Sequence, residues 1–551
     1  MSDEHIPWYM TAIFYKVHIR AYWDSNNDGK GDIPGLNNKL DYIKRLGVDC
    51  IWILPVYPSP LKDAGYDIAD YYDVHQDYGT LVDFKRLIEE AHKQGLRFIT
   101  DFVRNHTSDQ HIWFQKSRTD PNSNYRDDYV WSETEEKYTD ARIIFLDTKD
   151  SNWTYDEEAG FYFRHCFYSS QPDLNCDNPR VREEMLNGMN FWLQMGIDGF
   201  RADAVPYLIE REGSNCENLP ETHQILKDIR AYLDANYQEN ILLAEASQKR
   251  KDIRPYFGQG DGFHMEFHFP AMPQIFMALR KGDDSPIHWI MAQTPKIPPG
   301  IQWCTFLRNH DDLTLEMVTG GEQHWMWSEY APLARMHLNL GIRRRLAPLM
   351  DNNHKKFLLA YALLSALPCA PFIYYGDEIG MGDNIWLPER NGVCTPMQWH
   401  ASSNARFSKP PSDALYAPFI DEGEYAYQKI NISAQEKTSN SLLDKLRHLI
   451  TVRKEFSVFP LDEYQFLPLD QTQFLLIHSQ CLGESILCIQ NLSDHEQEMI
   501  VPLPEFQGQM IIDIIENSAI GQLLEIQYSL ILYVCGFAWL KFIENKANHI
   551  L

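Results

Sequence analysis

Gly199-Phe200-Arg201-Ala202-Asp203 closes a short apolar run, Gly196 to Phe200, on an arginine and an aspartate. A carboxylate just past a buried, β-prone run is costly unless it faces a cleft where chemistry uses it. The pattern recurs along the chain. Asp101-Phe102-Val103-Arg104-Asn105-His106 follows Leu96 to Thr100, Leu243-Ala244-Glu245-Ala246 completes Asn240 to Ala244, and Arg308-Asn309-His310-Asp311 follows Trp303 to Leu307. Acidic strand ends in one order, alternating with helical stretches, predict an α/β fold: a (β/α)8 TIM barrel with its active site on the C-terminal rim.

The chain on either side keeps that alternation. Ala12 to Ile19 reads as a first strand, Leu40 to Leu46 as a helix, and Cys50 to Leu54 as a strand ending at Pro55. Leu81 to Gln94 places Phe84, Leu87, Ile88 and Ala91 on one helical face, and Gly95 ends it. After the third strand the rhythm stops. Residues 106–175 are rich in aromatics and Asp, too long for an ordinary loop, and read as an inserted subdomain. A helix from Pro179 to Met195 resumes the pattern, with proline at a favoured first-turn position. Strands ending at Asp203, Glu245, His268, Asp311 and Gly376 complete eight. The barrel thus covers 1–105 and 176–456, with an excursion at 320–353. Past the helix Ser441 to Glu455, short alternating runs (Gln473 to Ile477, Ser485 to Ile489, Glu498 to Val501, Met510 to Ile515) predict a C-terminal antiparallel β-sandwich over 457–551.

Composition narrows the partners. With 44% hydrophobic and 13% aromatic residues the chain is not disordered. A net charge of −27 argues against nucleic acid or an anionic membrane as partner. Neutral sugars suit such an acidic, aromatic-rich chain. The start, Met1-Ser2-Asp3-Glu4-His5, has no basic or apolar leader, and the longest apolar stretch, Tyr528 to Leu540, is too short to span a bilayer and reads as buried strands. The 10 cysteines form no CxxC pair, which predicts free thiols in a reducing cytoplasm.

Glycosyl transfer with retention needs two carboxylates, a nucleophile that stays ionised and a general acid whose pKa is raised. Arg201 and Asp203 lie two apart in a strand, on one face, so the guanidinium would hold Asp203 charged. Glu245 sits among Leu242, Leu243, Ala244 and Ala246, a setting that raises a carboxyl. Asp311, beside His310, would bind sugar hydroxyls. Each acid taken singly reads as readily as a structural ion pair; the ordered set does not.

These segments resemble the α-amylase family of retaining α-glycosidases and transglycosylases. The resemblance spans essentially the whole chain: Ala64-Gly65-Tyr66-Asp67-Ile68, Asn105-His106, Gln171-Pro172-Asp173-Leu174-Asn175, Arg201 to Asp203, Glu245 and His310-Asp311. Within the family, Val205 to Gly213, Asn215 to His223 and Gly341 to Leu349 look like its maltose–trehalose glucosylmutases. The resemblance implies Asp203 as nucleophile, Glu245 as acid/base and Asp311 as transition-state stabiliser. It implies Asp67, His106, Arg201 and His310 around the glucosyl ring, with Gln171 and Arg390 as weaker members. The implied reaction is intramolecular: maltose becomes trehalose, α-1,4 to α,α-1,1, through a covalent glucosyl-enzyme. The alternatives are an α-glucosidase or oligo-1,6-glucosidase, or a non-catalytic scaffold on the same fold. A disaccharide is the expected partner, and a homo-oligomer is compatible with the sequence.

Calcium is expected in a structural role. Asp24, Asn26, Asp28, Lys30 (through its carbonyl) and Asp32 place oxygens at alternate positions around Gly29, as in an EF-hand loop, although Gly35 stands where a bidentate Glu belongs. The other reading is an Asx-rich turn that needs no ion. The resemblance implies a second site from Asn105, Asp173, Glu210 and the carbonyls of Tyr207 and Leu208. Departures from the family are Asp312 for the usual Glu, Cys394 for Arg, and Ala202 and Ser247 for Leu and Asn. Losing a cation at Cys394 is expected to loosen the acceptor pocket and raise hydrolysis. The Arg343-Arg344-Arg345 run reads as a structural cluster, and Trp325, Trp327 and Tyr330 as either cleft or packing.

Overall fold

A computed structural model describes residues 6–146, 148–409, 411–456, 458–459, 464–481 and 483–544; the reading at Met1 to His5 lies outside them. Strands β1 (Phe14–Val17), β2 (Cys50–Ile53), β3 (Arg97–Val103), β4 (Gly199–Asp203), β5 (Ile241–Ala244), β6 (Met265–Phe267), β7 (Gln302–Phe306) and β8 (Ala370–Tyr374) close a parallel barrel. Each strand pairs with its sequence neighbour, and β1 closes the ring by pairing Phe14 with Phe372 of β8.

The strands are shorter or shifted relative to the apolar runs, because ladder pairing rather than hydropathy sets their ends. Ile19–Tyr22 is already helical, which stops β1 early, whereas β3 runs on to Val103 beside Asp203 of β4. β7 stops at Phe306, so His310 and Asp311 are carried by the loop beyond it. At Gly199 the backbone has φ +150°, and a Cβ there would meet the Ile241 carbonyl at 2.2 Å. Glycine thus lets β4 and β5 approach where the two strands begin, at the end of the barrel away from Asp203 and Glu245.

Aromatic side chains fill the lower barrel. Phe14 stacks on Phe372 at 4.3 Å, and Phe267 packs edge-on to Phe306 and Phe372 at 5.2 and 5.0 Å. Each such ring contributes on the order of 2 kcal/mol of apolar burial. Above this apolar plug the interior turns polar, with Lys16, Asp101 and Arg201 all buried.

Outside the barrel, the helix Leu81–Lys93 buries Phe84, Leu87, Ile88 and Ala91 as its spacing predicts, and a Thr80–Asp83 capping box starts it. The inserted segment folds as a helix, Ile112–Thr119, and a three-stranded sheet of Trp131–Ser132, Phe161–Arg164 and Trp153–Asp156. The excursion is the helix Gly320–Tyr330 followed by a short strand pair. Trp327 stacks on His337 and the Tyr330 hydroxyl bonds the Phe276 carbonyl at 2.6 Å, so these aromatics pack rather than line the cleft.

The C-terminal region is an antiparallel sandwich of unequal layers, a six-stranded sheet and the two-stranded ribbon Gln497–Pro502 with Gln527–Leu532. Leu475 and Ile477 join the main core while Phe474 and Leu476 face the ribbon's Met499 and Val501, the alternation a strand imposes. The expectation that Tyr528 to Leu540 is buried holds for Ala538 to Leu540 but not for the ribbon, where Ile531 is 57% exposed. Among the described residues no helix is long and apolar enough to cross a membrane.

Candidate active site

Arg201 is the hub of the rim. Its Nη1 donates to Asp101 Oδ1 at 2.5 Å and to Asp203 Oδ1, and its Nη2 lies 2.6 Å from Glu245 Oε1. One buried guanidinium thus serves carboxylates from β3, from β4 and from just past β5. Asp203 and Arg201 share a face, as their spacing predicts; that Glu245 uses the same cation was not visible in sequence. The chain leaves Asp203 through Ala204, a non-glycine residue at φ 52°, ψ 35°, whose N–H donates to Glu245 Oε2 at 3.2 Å. Left-handed alanine costs about 1 kcal/mol or more and persists where surroundings enforce it, which here keeps both carboxylates at the rim.

Burial pushes both carboxyls up, and Arg201 draws both back. The neighbouring Asp203 charge adds to the rise at Glu245. Arg201 contacts both, Asp203 through Nη1 and Glu245 through Nη2, so the two carboxyls titrate as one coupled pair in which ionising either disfavours ionising the other.

Around this pair lies a cavity of about 130 Å³. Its walls include Asp63, His106, Phe145, Tyr207, Asp311 and Arg390. His106 stands neutral, its pKa pushed down to about 4 by burial, with Gln171 behind it at 3.1 Å. Gln171 itself is fully buried and bonds Asp63 at 2.9 Å. Arg390 spans the floor, 3.1 Å from Asp63 and 3.5 Å from Asp311. His310 lies beneath the wall, next to Tyr66 at 3.0 Å.

Asp67 is placed differently from expectation. Its oxygens accept from Ser59 Oγ (2.8 Å), Lys62 N (2.9 Å) and Asp63 N (3.1 Å), so it ties its own loop. Asp63 reaches the cavity instead. Left-handed turns at Leu61, Ala64 and Gly65 decide which acid faces in. Cys394 also disagrees with the sequence reading. Its thiol lies 3.4 Å from the Tyr374 hydroxyl and 3.7 Å from the His310 carbonyl, behind the wall. A looser acceptor pocket does not follow from it. Asp312 does line the cavity beside Asp311; its own burial, and then the Asp311 charge, push its carboxyl well up.

The cover was missed in sequence. Arg142, from the inserted segment, donates from Nε to Glu217 (2.6 Å), from Nη1 to Glu316 (2.9 Å) and from Nη2 to the Tyr207 hydroxyl (2.9 Å). Glu217 and Tyr207 lie in the loops after β4, and Glu316 in the loop after β7. One side chain therefore fastens the inserted segment over the cavity from two sides. The arginine run is structural: Arg343 donates to the carbonyls of Leu387 (2.6 Å) and Ile385 (3.2 Å), and Arg344 pairs with Asp383.

The metal expectations fare unequally. Asn105, Asp173 and Glu210 do come together, but Arg164 stands among them, its Nη1 at 2.6 Å from Asp173 and 2.9 Å from Glu210. Asn105 donates to Asp173 at 2.9 Å. A guanidinium already neutralises this set, so it does not fit calcium. In the Asp24 loop, Asp24 accepts from the N–H groups of Asn27 (2.6 Å) and Gly29 (2.9 Å), Asp28 from Lys30 (2.9 Å), and Asp32 from Ser25 (3.0 Å) and Gly35 (2.6 Å). The loop is shaped by its own backbone. Among the described residues no three His, Cys, Asp or Glu side chains converge as a metal cluster.

Comparison with known proteins places this geometry. Residues 16–460 match the alpha-amylase catalytic domain. The chain is 50% identical over 553 residues to a trehalose synthase/amylase of Mycolicibacterium smegmatis, covering 98% of this chain and 93% of that one. It is 48% identical over 551 residues to a trehalose synthase of Pimelobacter, covering 98% and 96%. Among solved structures, an α-glucosyl transfer enzyme aligns with a TM-score of 0.79 at 26% identity, over 98% of this chain and 100% of the other.

Proposed function

The chain belongs to the α-amylase family, and from that premise we propose that it isomerises maltose to trehalose by intramolecular transglucosylation. The observation that carries this reading is a carboxylate pair on one guanidinium in a cavity beside which Arg142 ties the inserted segment to the loops after β4 and β7. Asp203 would attack the anomeric carbon while Glu245 protonates the bridging oxygen, breaking the α-1,4 bond and leaving a β-glucosyl ester. The released glucose stays under the cover. Glu245, now a base, would take the proton of its anomeric hydroxyl, whose oxygen displaces Asp203 and forms the α,α-1,1 link. Two inversions give net retention. Asp311 and Arg390 would grip the flattened ring, with His106 as a neutral donor and Asp63 in the place first assigned to Asp67.

Water in the cavity diverts the same ester to glucose, so the cover decides the product. Incubated with maltose, the protein should form trehalose as its main product, with minor glucose. Arg142→Ala should raise the glucose share about tenfold, the value of a lost multi-bonded charged contact of roughly 1.5 kcal/mol, with maltose consumption less affected. Sugar chromatography resolves both; glucose alone from the unaltered protein identifies a hydrolase instead, and no turnover a scaffold.

Calcium remains a proposal for the Asp24 loop alone, supported by its alternating oxygens. Asp24, Asn26, Asp28, Asp32 and the Lys30 carbonyl would hold it, adding stability but no chemistry. Calcium should raise Tm over EDTA-treated protein by a few degrees, about 1 kcal/mol; equal Tm values remove the ion. A cytoplasmic location is proposed from the 10 cysteines, all free and nine of them buried.

A further inference from the structure

Lys16 is a strand residue of β1, only 1% exposed, on the barrel axis beneath the candidate site. Its ammonium rests 3.6 Å from the centroid of the Trp52 ring and 2.5 Å from Nδ1 of His310. Burial pushes the Lys16 ammonium well down, and the Asp101 carboxylate draws it back up. As an ammonium it offers three donors and no acceptor, so the bond requires a lone pair on Nδ1 and places the ring proton on Nε2. On that side Nε2 lies 3.0 Å from the Tyr66 hydroxyl, and this hydroxyl lies 3.3 Å from Asp101 Oδ1. Every donor then finds an acceptor along one direction: Lys16, His310, Tyr66, Asp101. The Tyr66 ring also stacks on His310 at 5.5 Å, and the Cys394 thiol bonds the His310 carbonyl.

We propose that Lys16 is a positioning residue that locks His310 as its neutral Nε2–H tautomer and thereby holds the His310-Asp311 segment in one geometry at the rim. It touches no substrate; it acts through His310. The kinetic part of this inference rests on the function proposed above, whereas the tautomer does not.

Charge around the ring agrees. Burial pushes His310 well down, and the cations facing it, Lys16, Arg390 and Arg201, together with His18, push the same way. On the other side stand Asp101, reached through Tyr66, and Asp311 next in the chain. Without Lys16 the acids are less opposed, and Nδ1 is free to take a proton. The imidazole then becomes able to ring-flip, switch tautomer or charge, and Asp311 loses its fixed base.

The test reads the ring directly. In protein with ¹⁵N-labelled histidine, the His310 signals are assigned by their loss in His310→Gln. The unaltered protein should show an unprotonated Nδ1 and a protonated Nε2, unchanged from about pH 6 to pH 8, across the ordinary histidine range. Lys16→Met should show mixed tautomers or an imidazolium at the acid end. Its kcat/KM on maltose should fall about tenfold, the scale of losing a group that orients a histidine, mostly in kcat. Lys16→Gln, which keeps an N–H donor, should recover most of that loss.

In a His310→Gln background Lys16→Met should cost little, because its route of action is gone. A purely structural lysine would cost the same in both backgrounds, and that result overturns the proposal. So does a protonated Nδ1 in the unaltered protein, a result that depends on no Lys16 variant folding. If maltose yields no trehalose, the substrate assignment fails while the ¹⁵N pattern still decides the role of Lys16.

Discussion

Asp203→Ala should lower turnover of an activated α-glucoside, such as 4-nitrophenyl α-glucoside, by about 10⁴-fold or more, the scale of deleting a covalent nucleophile. Sodium azide should restore part of it and yield β-glucosyl azide. The reasoning is geometric. Asp203 stands at the end of β4 with its Oδ1 on Arg201, facing a cavity that Glu245 shares. Removing the side chain leaves a gap on the face it attacks from, while Glu245 keeps its contact with Arg201 at 2.6 Å. A small anion entering that gap reaches the anomeric carbon from the β side and inverts it. Mass and anomeric coupling of the product identify the attacking face. Activity within tenfold of the parent, or an α-azide, would remove Asp203 from the nucleophile's role.

Arg201→Met should cost about 3–5 kcal/mol of stability, because it strands buried carboxylates rather than deleting a pair. Burial already holds Asp101, Asp203 and Glu245 above their ordinary values, and Arg201 is what draws each of them back. Without it all three rise further. A carboxyl whose folded pKa exceeds its unfolded one costs stability once pH passes the unfolded value, and costs most above the folded value. The deficit should therefore be largest near pH 8 and shrink toward about pH 5. Urea midpoints at the two pH values measure it, and a deficit independent of pH would mean the carboxyls do not depend on this cation. The acid limb of residual activity should move to higher pH for the same reason.

How far the site was legible follows from what each residue's position depends on. Asp203, Glu245 and Arg201 were readable because a strand puts alternate residues on one face and an apolar run ends in a charge. The eight strands were visible as apolar runs, but their ends were not, since pairing with a neighbour, as between Val103 and Asp203, fixes where a strand stops. Asp63 was passed over for Asp67 because both acids lie in one loop, and only its left-handed turns distinguish them. Arg142, Arg164 and Lys16 were invisible for a further reason. Each works on partners brought near by the fold, from Asp173 nine residues away to His310 almost three hundred. Charge in a sequence has no address until the chain closes on itself.

On the function proposed above, Arg142 would make the cover a timer. Freed glucose would have to rotate its anomeric hydroxyl toward the ester before the contacts to Glu217, Glu316 and Tyr207 let go. Two first-order events would then compete under one cover, and the ratio of products would read their quotient. Maltose affinity does not enter that quotient, whereas Asp203 does, because the glucose must displace it from the ester. Changes that prolong closure would then enrich the disaccharide while leaving the carboxylates untouched.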